Sequence, residues 1–254
     1  MLLGVKFVGG KGHQGIGMTR LCSPAVFSLA SPRALLFDLD GTLVDTLGDF
    51  CAVLDAAFTE CGWPTPSRAF VAATIGKGGE HLIRSALTHQ GIPQDAYAMA
   101  AEAYQRHYEH LNGTHSQVFP GVSEALAGLH QRGLPLVCLT NKPQAFARTL
   151  LDRKGLLACF SAVWGGDSFE RKKPDPLPIV RSAELLGLRA QQVWMIGDSR
   201  NDAQAARAAG APVMLVAYGY NHGEPVEQAG ADAVLESLLE LPPMLDEAAA
   251  REAG

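Results

Sequence analysis

The sequence predicts an α/β protein: a doubly wound parallel sheet, interrupted once by an all-helical insertion. Three observations predict it. Short apolar runs alternate with segments whose apolar residues recur at helical spacing, the pattern of a parallel sheet covered by helices. The runs are continuously apolar, so their strands have no wet face. Between Leu47 and Gln117 no strand pattern is convincing, and a stretch of roughly 70 residues is too long for a loop.

Taken in order, residues 1–17 carry six glycines and no periodicity, and Met18 follows them. They read as a flexible tail, within an expected N-terminal extension over residues 1–32. Lys6 and Lys11 flank only a short glycine-rich stretch, a poor match to a targeting signal. The first strand is "ALLFDL" (34–39). The insertion (47–117) shows three helical patterns, "DFCAVLDAAFTECG", "EHLIRSALTHQG" and "QDAYAMAAEAYQRHYEHLNG". It is expected to be a small second domain over the carboxyl edge of the sheet, with the core at 33–46 and 118–246.

Five further strands follow: "LPLVCLT" (134–140), "SAVW" (161–164), "QVWMIGD" (192–198), "PVMLVAYG" (212–219) and "DAVLES" (232–237). The segments "PQAFARTLLDRKG", "LPIVRSAELLG" and "NDAQAARAAG" between them each end at glycine, a helix stop signal. The Ala/Glu-rich last residues are expected to fray.

Composition narrows the function. With 47 % apolar and 19 % charged residues in 254, the chain is an ordinary globular one. It holds 26 acidic against 21 basic residues and no basic cluster, which argues against nucleic-acid binding. An anionic ligand would need a locally positive site against that background. Cys22, Cys51, Cys61, Cys138 and Cys159 are odd in number and form no CxxC pair, as expected of reduced thiols in a cytoplasmic protein. No apolar run approaches membrane-spanning length, so no membrane partner is expected. A monomer or homodimer is expected.

Ligands of open α/β sheets bind beyond the carboxyl ends of the strands. Asp38, Asp40, Gly41 and Thr42 follow the first run, and Thr140, Asn141 and Lys142 follow the second. Lys172 and Lys173 of "KKPDP" come after the third. Asp198, Ser199 and Asp202 of "GDSRND" end the fourth. Singly, each has a plain structural explanation: a helix cap, a turn or a solvated lysine. At the ends of successive strands they converge, and together they suit phosphoryl transfer. Clustered carboxylates repel unless a divalent cation is shared, and Mg²⁺ suits Asp38, Asp198 and a backbone carbonyl. The metal and Lys173 would screen a carboxylate attacking an anionic phosphate. Thr140 and Asn141 can hydrogen-bond phosphoryl oxygens, and Gly41 lets backbone amides approach them.

"DLDGT", "LTN", "KKPDP" and "GDSRND" resemble, in order, the four motifs of the haloacid dehalogenase superfamily of phosphatases. The resemblance implies a Rossmann-like core with a mobile α-helical cap, and a small-molecule phosphate monoester as substrate. It implies that Asp38 is the nucleophile and Asp40 the general acid/base. Thr140, Asn141 and Lys173 would hold the phosphoryl group. Asp38, the Asp40 carbonyl and Asp198 would bind Mg²⁺, supported by Ser199 and Asp202. True dehalogenases lack the second aspartate, and a catalytically dead binding module would have lost a chemical residue; neither fits.

Within the superfamily, "TIGKGGEHLIRSAL" (74–87), "FPGV" (119–122) and "GDSRNDAQAARAAGAPVMLVAYGYNHGEPV" (197–226) are similar to bacterial phosphoglycolate phosphatases. That implies 2-phosphoglycolate as substrate. A sugar-phosphate phosphatase, acting for example on N-acetylmuramic acid 6-phosphate, is the alternative, as is a β-phosphoglucomutase-like enzyme. Lys77 departs from the family pattern and leaves open the Schiff-base chemistry of phosphonatases. The loop "IGKGG" (75–79) is expected to read the substrate carboxylate through Lys77 and its amides, with Arg84 the next candidate.

Overall fold

The computed structural model describes residues 29–252. The tail expected at residues 1–17 lies outside them, as does nearly all of the expected extension. In chain order, β1 (Ala34–Phe37) and the short β2 (Val44–Asp45) lead into four helices. These are α1 (Leu47–Glu60), α2 (Arg68–Thr74), α3 (Gly79–His89) and α4 (Tyr97–Leu111). The chain returns through β3 (Gln117–Val118) to α5 (Val122–Gln131), β4 (Leu136–Leu139), α6 (Gln144–Arg153) and β5 (Ala162–Trp164). Then come α7 (Leu177–Leu185), β6 (Val193–Gly197), α8 (Arg200–Ala209), β7 (Val213–Val216), β8 (Ala233–Leu235) and α9 (Leu241–Glu252).

Six strands form one parallel sheet in the order β5-β4-β1-β6-β7-β8. All six fall within the apolar runs that predicted them. β1 lies in the middle, with Leu36 opposite Val137 of β4 on one side and Met195 of β6 on the other. The winding reverses at β1, so a crevice opens beyond its carboxyl end.

The continuity of the apolar runs has a direct cause. Leu35, Phe37, Cys138, Trp194 and Ile196 pack on one face against α5, α6 and α9. Ala34, Leu36, Val137, Leu139, Val193 and Met195 pack on the other against α7 and α8. Both faces are dry, so every position is apolar. Truncating a fully buried side chain such as Leu36 to alanine should cost about 2–5 kcal/mol.

Helices α1 to α4 enclose an apolar cluster of their own, including Phe50, Val53, Leu54, Phe58, Leu82, Leu87, Tyr104 and Tyr108. The chain leaves for them and returns through the antiparallel pair β2–β3, where Val44 faces Val118 and Asp45 faces Gln117. These strands are two residues long, too short for any periodicity to register. The seven-residue α2 is similarly brief and starts where the Ser67 hydroxyl accepts from the Phe70 amide at 3.2 Å.

The expected fraying of the C-terminus does not hold through Glu252. Leu241, Met244, Leu245 and Ala248 recur at helical spacing and are buried against the sheet, so α9 is anchored rather than loose. Cys51, Cys61, Cys138 and Cys159 are free thiols. Among the described residues no helix is long and apolar enough to cross a membrane.

Candidate active site

Asp38 follows β1 directly, its amide donating to the Ile196 carbonyl of β6 at 2.8 Å. The chain then turns tightly, with the amides of Leu43 and Val44 both donating to the Leu39 carbonyl. Gly41 holds φ +89° in this turn, and a Cβ there would collide with Asp198 Oδ2. Glycine is therefore required twice, for the backbone conformation and for the approach of Asp198.

Asp198 ends β6. Its Oδ1 accepts from the Thr42 hydroxyl at 3.1 Å and its Oδ2 from the Tyr220 amide at 2.8 Å. Asp202 stands one helical turn further on. Its Oδ2 accepts from the Ser199 amide (3.2 Å) and hydroxyl (2.8 Å), closing the first turn of α8. Its Oδ1 accepts from Lys173 Nζ at 2.7 Å. Lys173 also donates to the Leu139 carbonyl at 2.7 Å and lies 3.0 Å from Asp38 Oδ1. That last contact is a charge pair without hydrogen-bond alignment, and Asp38 Oδ1 has no hydrogen-bond donor among the described residues. Thr140 and Asn141 follow β4. The Asn141 amide nitrogen donates to the carbonyls of Lys173 (2.8 Å) and Gly76 (3.0 Å), while its oxygen is buried without a partner.

Asp38, Asp40, Asp198 and Asp202 are all buried here, against two ammonium groups, Lys142 and Lys173. Formally two negative charges are left over. Burial pushes the Asp38 carboxyl up to about 6, with Lys173 opposing the rise and Asp202 and Asp40 adding to it. Burial, reinforced by Asp202 and Asp38, pushes Asp198 well above the ordinary carboxylate value. Burial alone would lower the Lys173 ammonium, but Asp202 and Asp38 outweigh it and hold its pKa above the usual lysine value.

These are the surroundings a hard divalent cation satisfies. Carboxylate oxygens of Asp38, Asp198 and Asp202 lie within 4.8 Å of one another, and the donors are all oxygen. Both Asp202 oxygens are already engaged, by Lys173 and by Ser199. Asp198 also accepts at both oxygens, from Thr42 and Tyr220, so Asp38, with its unpartnered oxygen, is the freest of the three.

A cavity of about 220 Å³ opens between this cluster and the insertion. Asp38, Asp40, Thr140, Asn141 and Lys142 form its sheet side; Phe50, Gly78, Tyr104 and Tyr108 are among the residues facing them. Lys173, Asp198, Ser199 and Asp202 stand behind that wall.

The two expected readers of the substrate are not in the wall. Arg84 faces outward, with its Nε 2.8 Å from Glu80, its Nη1 3.3 Å from Gln94 and its guanidinium over the Tyr97 ring. Lys77 is half-buried on the loop between α2 and α3 and does not line the cavity. Burial, and then the Lys77 charge, hold His81 and His222 below the ordinary histidine value.

Three residues gain parts that the sequence left unassigned. Lys142, third in "TNK", donates to Asp40 Oδ1 at 2.7 Å across 102 positions of chain. Asn201, inside "GDSRND", donates to the Gly76 carbonyl at 3.2 Å. Tyr220 bonds both Asp198 and Asp45. Their motifs were visible in the sequence, but their partners are distant in the chain.

Comparison with known proteins agrees with this geometry. Residues 35–216 match the model of the haloacid dehalogenase-like hydrolases. A phosphoglycolate phosphatase of Thiobacillus denitrificans is 40 % identical over 219 residues, which is 85 % of this chain and 96 % of that enzyme. One from Photorhabdus laumondii is 39 % identical over 82 % of this chain and 90 % of its own length. The crystal structure of a predicted phosphoglycolate phosphatase from Haemophilus somnus superposes with a TM-score of 0.81 at 29 % identity, covering 84 % of this chain and 97 % of that one. On its sheet order, its clustered carboxylates and these matches, the chain belongs to the haloacid dehalogenase-like hydrolases.

Proposed function

We propose that this hydrolase is a Mg²⁺-dependent phosphatase that cleaves 2-phosphoglycolate to glycolate and phosphate through an aspartyl-phosphate. The observation that carries the reading is the pair formed by Asp38 and Asp40. Asp38 has a carboxylate oxygen with no hydrogen-bond donor among the described residues, Asp40 is hydrogen-bonded to the Lys142 ammonium, and both line one cavity.

Asp38 attacks phosphorus, forming a new P–O bond as the bond to the glycolate oxygen breaks. Asp40 enters this step protonated, gives that proton to the leaving oxygen and recovers one from the water that attacks the phospho-aspartate. Phosphate leaves and both carboxylates return to their starting state. Thr140, Lys173 and the backbone amide of Asn141 hold the phosphoryl oxygens, since both Asn141 side-chain N–H groups are taken by the Lys173 and Gly76 carbonyls. Asp38, the Asp40 carbonyl and Asp198 would hold Mg²⁺, with Ser199 and Asp202 fixing the loop behind them. When bound, the metal neutralises the excess negative charge and withdraws electrons from the phosphoryl group. The helical insertion serves as a cap that excludes water from the cavity.

The substrate assignment is supported by the names of the relatives and by size. A cavity of about 220 Å³ lies below the roughly 300–1,000 Å³ of sites for drug-sized ligands, which favours a small ester over an amino-sugar phosphate. The test is kcat/KM across a panel of phosphate monoesters with and without Mg²⁺. The highest value is expected for 2-phosphoglycolate, and a preference for N-acetylmuramic acid 6-phosphate or a hexose phosphate refutes the assignment.

A further inference from the structure

We propose that Lys142 and Tyr108 form the subsite that recognises the substrate's carboxylate. The proposal rests on the phosphoglycolate reading and identifies the residues that make it specific.

Phosphoglycolate carries a carboxylate besides its phosphoryl group, so the cavity needs a second cationic contact. Of the described residues lining it, Lys142 is the only lysine or arginine; Asp38, Asp40 and Glu80 are the acids. Lys173 cannot serve, because it stands behind the wall against Asp38, on the phosphoryl side, and does not line the cavity. Lys142 is buried, and among the described residues its ammonium has a single hydrogen-bond acceptor, Asp40. The rings of Phe50, 4.7 Å away, and Tyr108, 5.3 Å away, also lie near its ammonium. Ring faces attract an ammonium but do not replace an oxygen acceptor. Two of its three N–H groups are thus unmatched in a mostly apolar enclosure, a cost that an arriving anion relieves.

Tyr108 supplies an independent observation. It is buried, it lines the same cavity, and its hydroxyl has no hydrogen-bond partner among the described residues. Burial, with Asp40 and Asp49 nearby, holds that hydroxyl protonated. A buried, unpaired phenol is costly unless a ligand completes it.

Position agrees with chemistry. The carboxylate carbon of phosphoglycolate is two bonds from the ester oxygen that Asp40 protonates. An ammonium one hydrogen bond from Asp40 therefore meets the carboxylate when Asp40 meets the ester oxygen. Lys142 comes from the end of β4 and Tyr108 from α4, so the subsite is complete only with the insertion docked against the sheet.

The experiment compares kcat/KM for 2-phosphoglycolate with that for its neutral amide, the same ester without the charge. Lys142→Met lowers both rates, because Asp40 loses its partner, but the ratio cancels that shared loss. The ratio is expected to fall roughly ten- to a hundredfold, the effect of one charge-assisted contact. Tyr108→Phe should lower it about tenfold while leaving the melting temperature unchanged or higher, since the hydroxyl makes no bond in the fold. This second variant decides the matter should Lys142→Met not fold. An unchanged ratio in the folded variants overturns the proposal. A wild-type protein that cleaves ester and amide equally well overturns the phosphoglycolate reading beneath it.

Discussion

Tyr220 joins Asp198 to Asp45. Its amide donates to Asp198 Oδ2 at 2.8 Å, and its hydroxyl donates to Asp45 Oδ1 at 2.6 Å. The same hydroxyl accepts from the amides of Thr46 and Leu47 at 2.9 and 3.0 Å. One residue thus ties the carboxylate at the end of β6 to the point where the chain departs into α1.

Tyr220→Phe separates those two bonds. The backbone bond to Asp198 survives, while the buried Thr46 amide loses its acceptor; Leu47 keeps Asp45 at 3.2 Å. Leaving a buried donor unpaired costs about 1–3 kcal/mol. For a domain of this size that lowers the melting temperature by several degrees, roughly 2–4 °C per kcal/mol. Calorimetry should show the drop and titration with Mg²⁺ an affinity within about twofold of wild type. A melting temperature that does not move contradicts the linkage.

Asp38 and Asp40 have separable effects. Asp38→Asn should abolish turnover and prevent formation of any phospho-enzyme, detectable by mass spectrometry after an acid quench. Asp40→Asn should slow esters with poor leaving groups most, by about 10²–10⁴-fold, since a good leaving group needs little protonation. Equal slowing of 2-phosphoglycolate and p-nitrophenyl phosphate would remove Asp40 from its proposed part.

Much of this was legible in the sequence, for a physical reason. A strand buried on both faces is apolar at every position, so "ALLF" and "VWMIG" announce themselves, and polar residues that interrupt such a run at its end stand out. Asp38, Thr140 and Asp198 stand out in that way, each directly after a buried strand. The two-residue strands β2 and β3 carry no pattern to find. The part of Lys142 depends on Asp40, far away in the chain, and on two rings of the insertion. Arg84 illustrates the opposite error. It is the next candidate after Lys77 for the carboxylate, but only the packed structure shows it turned outward to Glu80.

Mg²⁺ should stabilise the fold as well as support turnover. A ligand at 100 times its Kd that binds only the folded state contributes about 2.7 kcal/mol. The wild-type melting temperature is therefore expected to rise with Mg²⁺, and Asp198→Asn should abolish most of that rise. Gly41→Ala should do the same, because the added methyl collides with Asp198 Oδ2 and the residue's φ of +89° disfavours alanine. A Gly41→Ala variant with an undiminished Mg²⁺ response would show that the turn does not shape the metal site.

The loop between α2 and α3 is held to the sheet domain by its backbone. The Gly76 carbonyl accepts from Asn141 Nδ2 at 3.0 Å and from Asn201 Nδ2 at 3.2 Å, while neighbouring Lys77 stays out of the cavity wall. The two side chains should therefore behave differently on replacement. Asn201→Ala removes one net hydrogen bond, about 0.5–1.5 kcal/mol, and loosens docking of the insertion. Every substrate needs that docking, so kcat/KM should fall by roughly two- to tenfold for 2-phosphoglycolate and p-nitrophenyl phosphate alike. Lys77→Ala should change neither value by more than about threefold, because this half-buried lysine does not line the cavity. A loss confined to 2-phosphoglycolate in Lys77→Ala would return recognition of the carboxylate to the loop and away from Lys142.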